Sequence, residues 1–203
     1  AGEMSSPIKS QVHREEGNKF YRQTQTEGLP PVLQRDRLEK AIVCYRRALD
    51  TSVNSMEKSS ALKNIALSSM KLFTIMLHVG EHKSLTDYYL KEGIQNIDLA
   101  LNQGQFGGQT QQWFNALYER YMEILDLVFH HLGSKKTKDR CHTLEELAKK
   151  INNKQAKSRI LRETARVYFN GSVVALEAGD FRLCLSLLGD CHRPLEEAKL
   201  CNT

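Results

Sequence analysis

Seven histidines and five cysteines are the side chains of this 203-residue sequence best suited to chemistry, and their spacing builds no reactive centre. His13, His78, His82, His130, His131, His142 and His192 form no HExxH pair, and none stands at zinc-ligand spacing from a cysteine. His78 and His82 are four apart and could share a helix face, but no carboxylate at the right step completes a metal site. Cys141 adjoins His142, yet neighbours on a helix point to different faces, so the pair does not make a nucleophile and base. Gly104 to Gly108 has no following Lys-Ser/Thr and no preceding strand, so it is a loop and not a phosphate cradle. The paired acids Glu145-Glu146 and Glu196-Glu197 fall early in helical segments, where they favour the helix dipole. The expectation is a non-enzyme with no catalytic residue, no metal site and no cofactor.

The cysteines speak to compartment instead. Cys44, Cys141, Cys184, Cys191 and Cys201 are odd in number and contain no CxxC, unlike a secreted disulfide framework. Cytoplasm, with the nucleus as the other reducing option, is the expected location. No run approaches the roughly 20 apolar residues needed to cross a bilayer. The longest apolar patch, Leu72 to Val79, is broken by Thr74 and His78.

A basic segment offers a second kind of chemistry. Eleven Lys or Arg, including Lys135, Lys136, Lys138, Arg140, Lys149, Lys150, Lys154 and Lys157, lie between Ser134 and Arg166 against four acids. That excess of seven is larger than the net charge of +5, so the remainder is slightly acidic. Such a surface suits an acidic protein segment, RNA phosphates or an anionic membrane. No Phe, Tyr or Trp lies between Ser134 and Val167 to stack on bases, which disfavours nucleic acid. A solvated helix face is the leading reading of this charge, ahead of an acidic protein partner and then of nucleic acid or lipid.

The elements that carry these residues are helices. Composition is globular, 40% hydrophobic and 26% charged. Apolar residues recur in threes and fours from Leu62 through Ile65, Ala66, Met70 and Phe73 to Leu77, and again from Trp113 through Leu117, Tyr121, Ile124 and Val128 to Leu132. Nine helices are expected, at about 8–25, 33–52, 56–79, 83–103, 109–133, 139–152, 155–178, 180–190 and 194–201, the last opened by Pro194. Gly179-Asp180 is the clearest turn, with glycine ending one helix and Asp capping the next. Residues 1–7 read as a disordered start in which Ala-Gly-Glu precedes Met4 as a foreign remnant. Residues 8–203 read as one domain with an inserted loop at about 23–34. Trp113, Phe114, Tyr118 and Tyr121 are expected to pack between helix pairs, and Tyr88-Tyr89 cannot both face one seam.

Small residues recur as notches: Gly17, Ala41 with Ala48, Ala66, Gly93 with Ala100, Gly171 with Ala175, and Cys184 with Cys191. Arg14-Glu15-Glu16-Gly17-Asn18-Lys19-Phe20-Tyr21 followed by Ala41 to Leu49 resembles the tetratricopeptide repeat, as do Leu62 to Leu67 and Ala178 to Cys191. The resemblance covers about half the chain and departs from the regular pattern, since Gly17 and Ala41 are 24 apart. It implies an all-α fold of about four antiparallel helix pairs and a closing helix, stacked as a right-handed superhelix.

The same resemblance implies function. Proteins of this family usually bind a peptide or helical segment of a partner in a concave groove, acting as scaffolds or adaptors. The residues placed there by analogy are Arg14, Asn18, Lys19, Asn64, Lys71, Gln111 and Asn115. Some relatives grip the acidic tail of a heat-shock chaperone with a carboxylate clamp. Arg14, Asn18 and Asn64 match parts of that clamp, whereas Gln111 and Asn115 stand, uncharged, where it needs cations. The expectation is a protein partner in the groove, with a degenerate chaperone clamp, or RNA or membrane on the basic segment, as alternatives.

Overall fold

Of the nine helices expected, eight form among the described residues. The computed structural model describes residues 6–131, 137–149 and 154–202, so the start at residues 1–5 lies outside them. The helices are α1 (Ser6–Gln23), α2 (Pro31–Asp50), α3 (Ser55–Val79), α4 (Lys83–Gly107), α5 (Gln111–His131), α6 (Thr137–Lys149), α7 (Lys154–Glu177) and α8 (Phe181–Cys201). No strand occurs among the described residues; α1 packs on α2, α2 on α3, α3 on α4, α6 on α7 and α7 on α8.

The helix ends follow from local chemistry. Asn54 caps α3 by accepting from the Glu57 N–H at 2.9 Å, while the Glu57 carboxylate accepts from the Val53 N–H at 3.1 Å. Gly179 takes a left-handed φ of 77°, and Asp180 then caps α8 by accepting from the Leu183 N–H at 3.1 Å, as the sequence predicts. α2 begins at Pro31, where a fixed φ and a missing N–H suit the first turn, so only residues 24–30 remain irregular instead of 23–34.

The ninth helix does not exist as a separate element. Pro194 lies buried inside α8, where it cannot donate to the Asp190 carbonyl, a defect worth about 3 kcal/mol in an ordinary helix interior. The helix runs through it because Cys184, Leu187, Cys191, Pro194 and Ala198 recur every three or four residues and form one inward stripe. Packing along that stripe outweighs the local preference.

Contacts gather into two compact units, Ala1–Leu125 and Asp126–Thr203. In the first, Leu38, Ile42, Leu72 and Met76 form one core cluster and Ala41, Tyr45 and Ile65 another, with Tyr21 packed against both. Each fully buried Leu or Ile contributes about 1.5–3 kcal/mol. The expected notches face inward. Ala41, Ala48, Ala66 and Ala100 are fully buried. A Cβ on Gly17 would meet the Tyr45 ring at 2.6 Å, and one on Gly93 would meet Met70 Cγ at 2.9 Å. The Ser10 hydroxyl ties α1 to α2 by donating to the Ala48 carbonyl at 2.8 Å.

In the second unit, Cys141, Tyr168 and Leu187 form the core, with Val167 and Cys191 against it. A Cβ on Gly171 would lie 2.6 Å from Thr137 Cγ2, so α6 and α7 approach through that glycine. Glu145 is the polar hub: it accepts from Arg193 at 2.8 and 3.1 Å and from the Tyr168 hydroxyl at 3.1 Å. Burial pushes the Tyr168 phenol up, and the carboxylate of Glu145 adds to the shift.

Candidate functional site

The most distinctive chemistry of the first unit lies where α1, α3 and α5 come together. Lys63, Leu67 and Lys71 follow one another at four-residue steps along one face of α3, all half-buried. The Lys71 ammonium donates to the Thr24 hydroxyl at 2.7 Å and stands 5.0 Å from the centre of the Tyr21 ring, at the end of α1. The Lys63 ammonium stands 5.5 Å from the centre of the Trp113 ring, on α5. Neither lysine forms an ion pair with a carboxylate among the described residues.

Electrostatics join these groups into one site. Burial holds both lysines below the ordinary lysine range, and the positive charge of Arg120 pushes them further in the same direction. Arg120 also opposes the burial that pushes the Tyr21 phenol up. Its guanidinium is exposed and meets Glu123 of its own helix at 3.1 Å, a surface pair of small energetic worth. Both lysines therefore feel the field of Arg120, and each stands against an aromatic ring. Trp113 is held edge-on to Phe114, centroids 5.0 Å apart, against Gly104, where a Cβ would meet its ring at 2.8 Å. Tyr118 and Tyr121 are buried, as expected of core aromatics, and burial pushes the Tyr121 phenol up.

The residues named from sequence are distributed unevenly around this site. Lys71 belongs to it, and Asn64 lies half-buried on the same helix. Asn18 is half-buried in α1, and its side-chain oxygen accepts from the Tyr45 hydroxyl at 2.7 Å, which joins α1 to α2. Arg14 is half-buried and Lys19 exposed on that helix. Gln111 and Asn115 are exposed and bonded to each other at 2.9 Å. The sequence reading does not single out Lys63, Arg120 or Thr24; it assigns Trp113 to packing between helix pairs and Tyr21 to the repeat-like motif. The signal for them is the same-face spacing of Lys63 with Lys71 and of Trp113 with Arg120, seven apart on α5.

The basic segment is partly neutralised. Lys138 donates to the Ser186 hydroxyl at 2.5 Å and lies 3.6 Å from Asp190, an acid outside the segment. Lys149 pairs with Glu146 at 2.9 Å, and Arg166 pairs with Glu163 through two guanidinium nitrogens. Lys154 is exposed and Lys157 half-buried. Lys135, Lys136 and Lys150 lie outside the described residues, as does the side chain of Arg140.

Two of the thiols and two of the imidazoles have structural partners. Cys191 donates to the Ala165 carbonyl at 3.3 Å and Cys141 contacts the Thr164 carbonyl at 3.8 Å. Burial pushes the Cys44 and Cys191 thiols up, away from the reactive thiolate. The Thr74 carbonyl accepts from His78 at 2.9 Å, while His82 caps α4 by accepting from the Ser84 N–H at 3.2 Å. No group of three metal-ligating side chains gathers among the described residues, and no described helix is long and apolar enough to cross a membrane. Compared with known proteins, the chain matches no family model, no curated sequence and no solved structure.

Proposed function

We propose that this chain is a tetratricopeptide-like interaction module that binds an acidic peptide or helical segment of a partner protein along the face shared by α1, α3 and α5. The observation that carries this reading is the pair Lys63 and Lys71: two partly desolvated ammonium groups without a carboxylate partner among the described residues, made less comfortable by Arg120. An incoming carboxylate would relieve that repulsion and form charge-assisted hydrogen bonds. Tyr21 and Trp113 offer ring surface for the aliphatic or aromatic side chains of the same segment. The mechanism is recognition by preorganised helices, with no covalent step, and the role is that of an adaptor in the cytoplasm.

Trp113 is the chain's only tryptophan, so its fluorescence reads binding directly. The test titrates the protein with a Glu/Asp-rich peptide and with its Gln/Asn counterpart. Binding of the acidic peptide is expected to weaken about tenfold for Lys63→Gln and for Lys71→Gln, the loss of one charge-assisted hydrogen bond each. It is also expected to weaken with added salt. Equal affinity of wild type and both variants for the acidic peptide, or equal binding of the uncharged peptide, refutes the assignment.

A further inference from the structure

The second unit carries an apolar face that its described residues leave uncovered. On α8, Phe181, Leu185, Leu188 and Leu195 are exposed by 64%, 70%, 38% and 39%. Their steps of four, three and seven residues set them on one side of the helix. α6 meets α8 elsewhere, through Ser186, Asp190 and Arg193. At 100° per residue those three positions are roughly 150° around the helix from the apolar row. On α7, Phe169, Val173 and Leu176 repeat the pattern, exposed by 52%, 38% and 51%. Together these seven side chains offer on the order of 650 Å² of apolar surface, above the usual largest patch of a monomer and close to one partner's share of a standard interface.

Gly189 supplies the second observation. It sits in the interior of α8, where glycine costs up to about 1 kcal/mol relative to alanine. A Cβ added there would meet nothing within 4 Å, so no contact with a described residue requires it. The third is a symmetry of charge about that glycine. Arg182 stands seven residues before it and Glu196 seven after, all three exposed on one flank of the apolar row. Arg182 makes no ion pair with a described residue, and Glu196 has only its helix neighbour Lys199 at 3.4 Å.

We propose that this face binds a second copy of the same chain, with two α8 helices crossing antiparallel at Gly189. A two-fold axis at that position sets Phe181 near Leu195 of the second copy, Leu188 near its counterpart, and Arg182 opposite Glu196, twice. The two glycines lie level with each other on the flank of the seam, between the two charged pairs, and leave room there for the second copy. His192, the polar member of the row, meets the second copy's Leu185 and limits how dry the seam becomes. The proposal is independent of the groove on the first unit.

Sedimentation equilibrium of the full chain through the micromolar range tests it. Wild type is expected to show a monomer–dimer equilibrium. Leu185→Glu is expected to weaken it at least a hundredfold while circular dichroism stays unchanged, because the side chain is exposed in the monomer. Arg182→Glu, and separately Glu196→Arg, should each weaken it about tenfold, and the double swap should return it to within about threefold of wild type. A wild type that stays monomeric overturns the proposal, even if it captures a different helical protein. So does a dimer indifferent to the charge swaps, which would place the contact on another face or in another register.

Discussion

Replacing Gly107 with alanine isolates how closely α3 and α4 are required to approach. Gly107 is the last residue of α4, and a Cβ there would lie 2.5 Å from the Met56 nitrogen, 2.7 Å from its Cα and 2.8 Å from the Ser55 carbonyl carbon. Ordinary contact begins at 3.4 Å, so the first turn of α3 would have to retreat by about 0.9 Å. The atoms in the way are backbone, and they are pinned. Asn54 and Glu57 cap that turn, and the Gln109 amide donates to the Ser59 and Ser60 hydroxyls at 2.9 and 3.1 Å. Opposing this is the helix preference of alanine over glycine, at most about 1 kcal/mol and smaller at a helix end. Overpacking against a fixed neighbour costs about 1–3 kcal/mol, and loosening the Gln109 bonds adds to it, so the net loss expected is about 2 kcal/mol. With a urea m-value of about 2 kcal/mol/M, the midpoint read from Trp113 fluorescence should fall by about 1 M. Gly108→Ala is the control: its φ of 70° is strained for alanine but nothing stands within 4 Å of its Cβ, so its loss should stay near 1 kcal/mol. A Gly107→Ala protein as stable as wild type, or less affected than Gly108→Ala, refutes the close-approach reasoning.

Besides the groove titration and the self-association measurements, two outcomes follow from the buried polar groups. Tyr45, Tyr121 and Tyr168 have phenols raised by burial, and Tyr89 is pushed up to about 12 by burial and then Glu39, so the folded chain keeps protons that the unfolded chain releases above about pH 10. Stability should be level below that pH and fall from there toward the folded values, with tyrosinate absorbance and loss of helical circular dichroism rising together; these phenols ionising near pH 10 with helicity intact contradicts it. Glu145→Ala removes the acceptor shared by Arg193 and Tyr168 and should cost about 1–2 kcal/mol, discounted for the half-exposed arginine, whereas Glu145→Gln should cost less; identical urea midpoints for all three proteins would show the hub to be inert.

Much of the fold is legible in the sequence because periodicity and punctuation agree. The Gly179-Asp180 turn and the inward Ala41, Ala48 and Ala100 all express choices made within a few residues of one another. Pro194 shows where local reading fails. Its stop signal is short-range, whereas the stripe from Cys184 to Ala198 is a property of the whole of α8, and burial along it sets the outcome. The candidate site is less legible for a related reason. Lys71 is recognisable on α3, but the field at its ammonium comes from Arg120, 49 positions away on α5. A lysine on a helix face reads as solvated until the helix opposite it is known. Asn18 illustrates the converse: the repeat resemblance implies a ligand contact there, while its oxygen is already engaged by Tyr45.

Glycine separates what this chain needs in order to fold from what it displays outward. At Gly17, Gly93, Gly104, Gly107 and Gly171 a Cβ would strike a ring, a side chain or backbone of a neighbouring helix at 2.9 Å or less, so folding itself accounts for the residue. At Gly189 the same Cβ meets nothing, and at a helix interior the absence of a side chain is a cost with no return inside the monomer. Exposed Leu185 and Phe181 beside it share that character, since apolar side chains standing in water gain nothing for the folded monomer either. Two costs of different origin, one of backbone entropy and one of apolar hydration, lie side by side on one helix, and a second helix laid there would relieve the hydration cost and fill the space the glycine leaves open. The flanking charges then select among helices: Arg182 and Glu196, each seven residues from the glycine, fit an antiparallel copy of the same segment and would repel a parallel one in register.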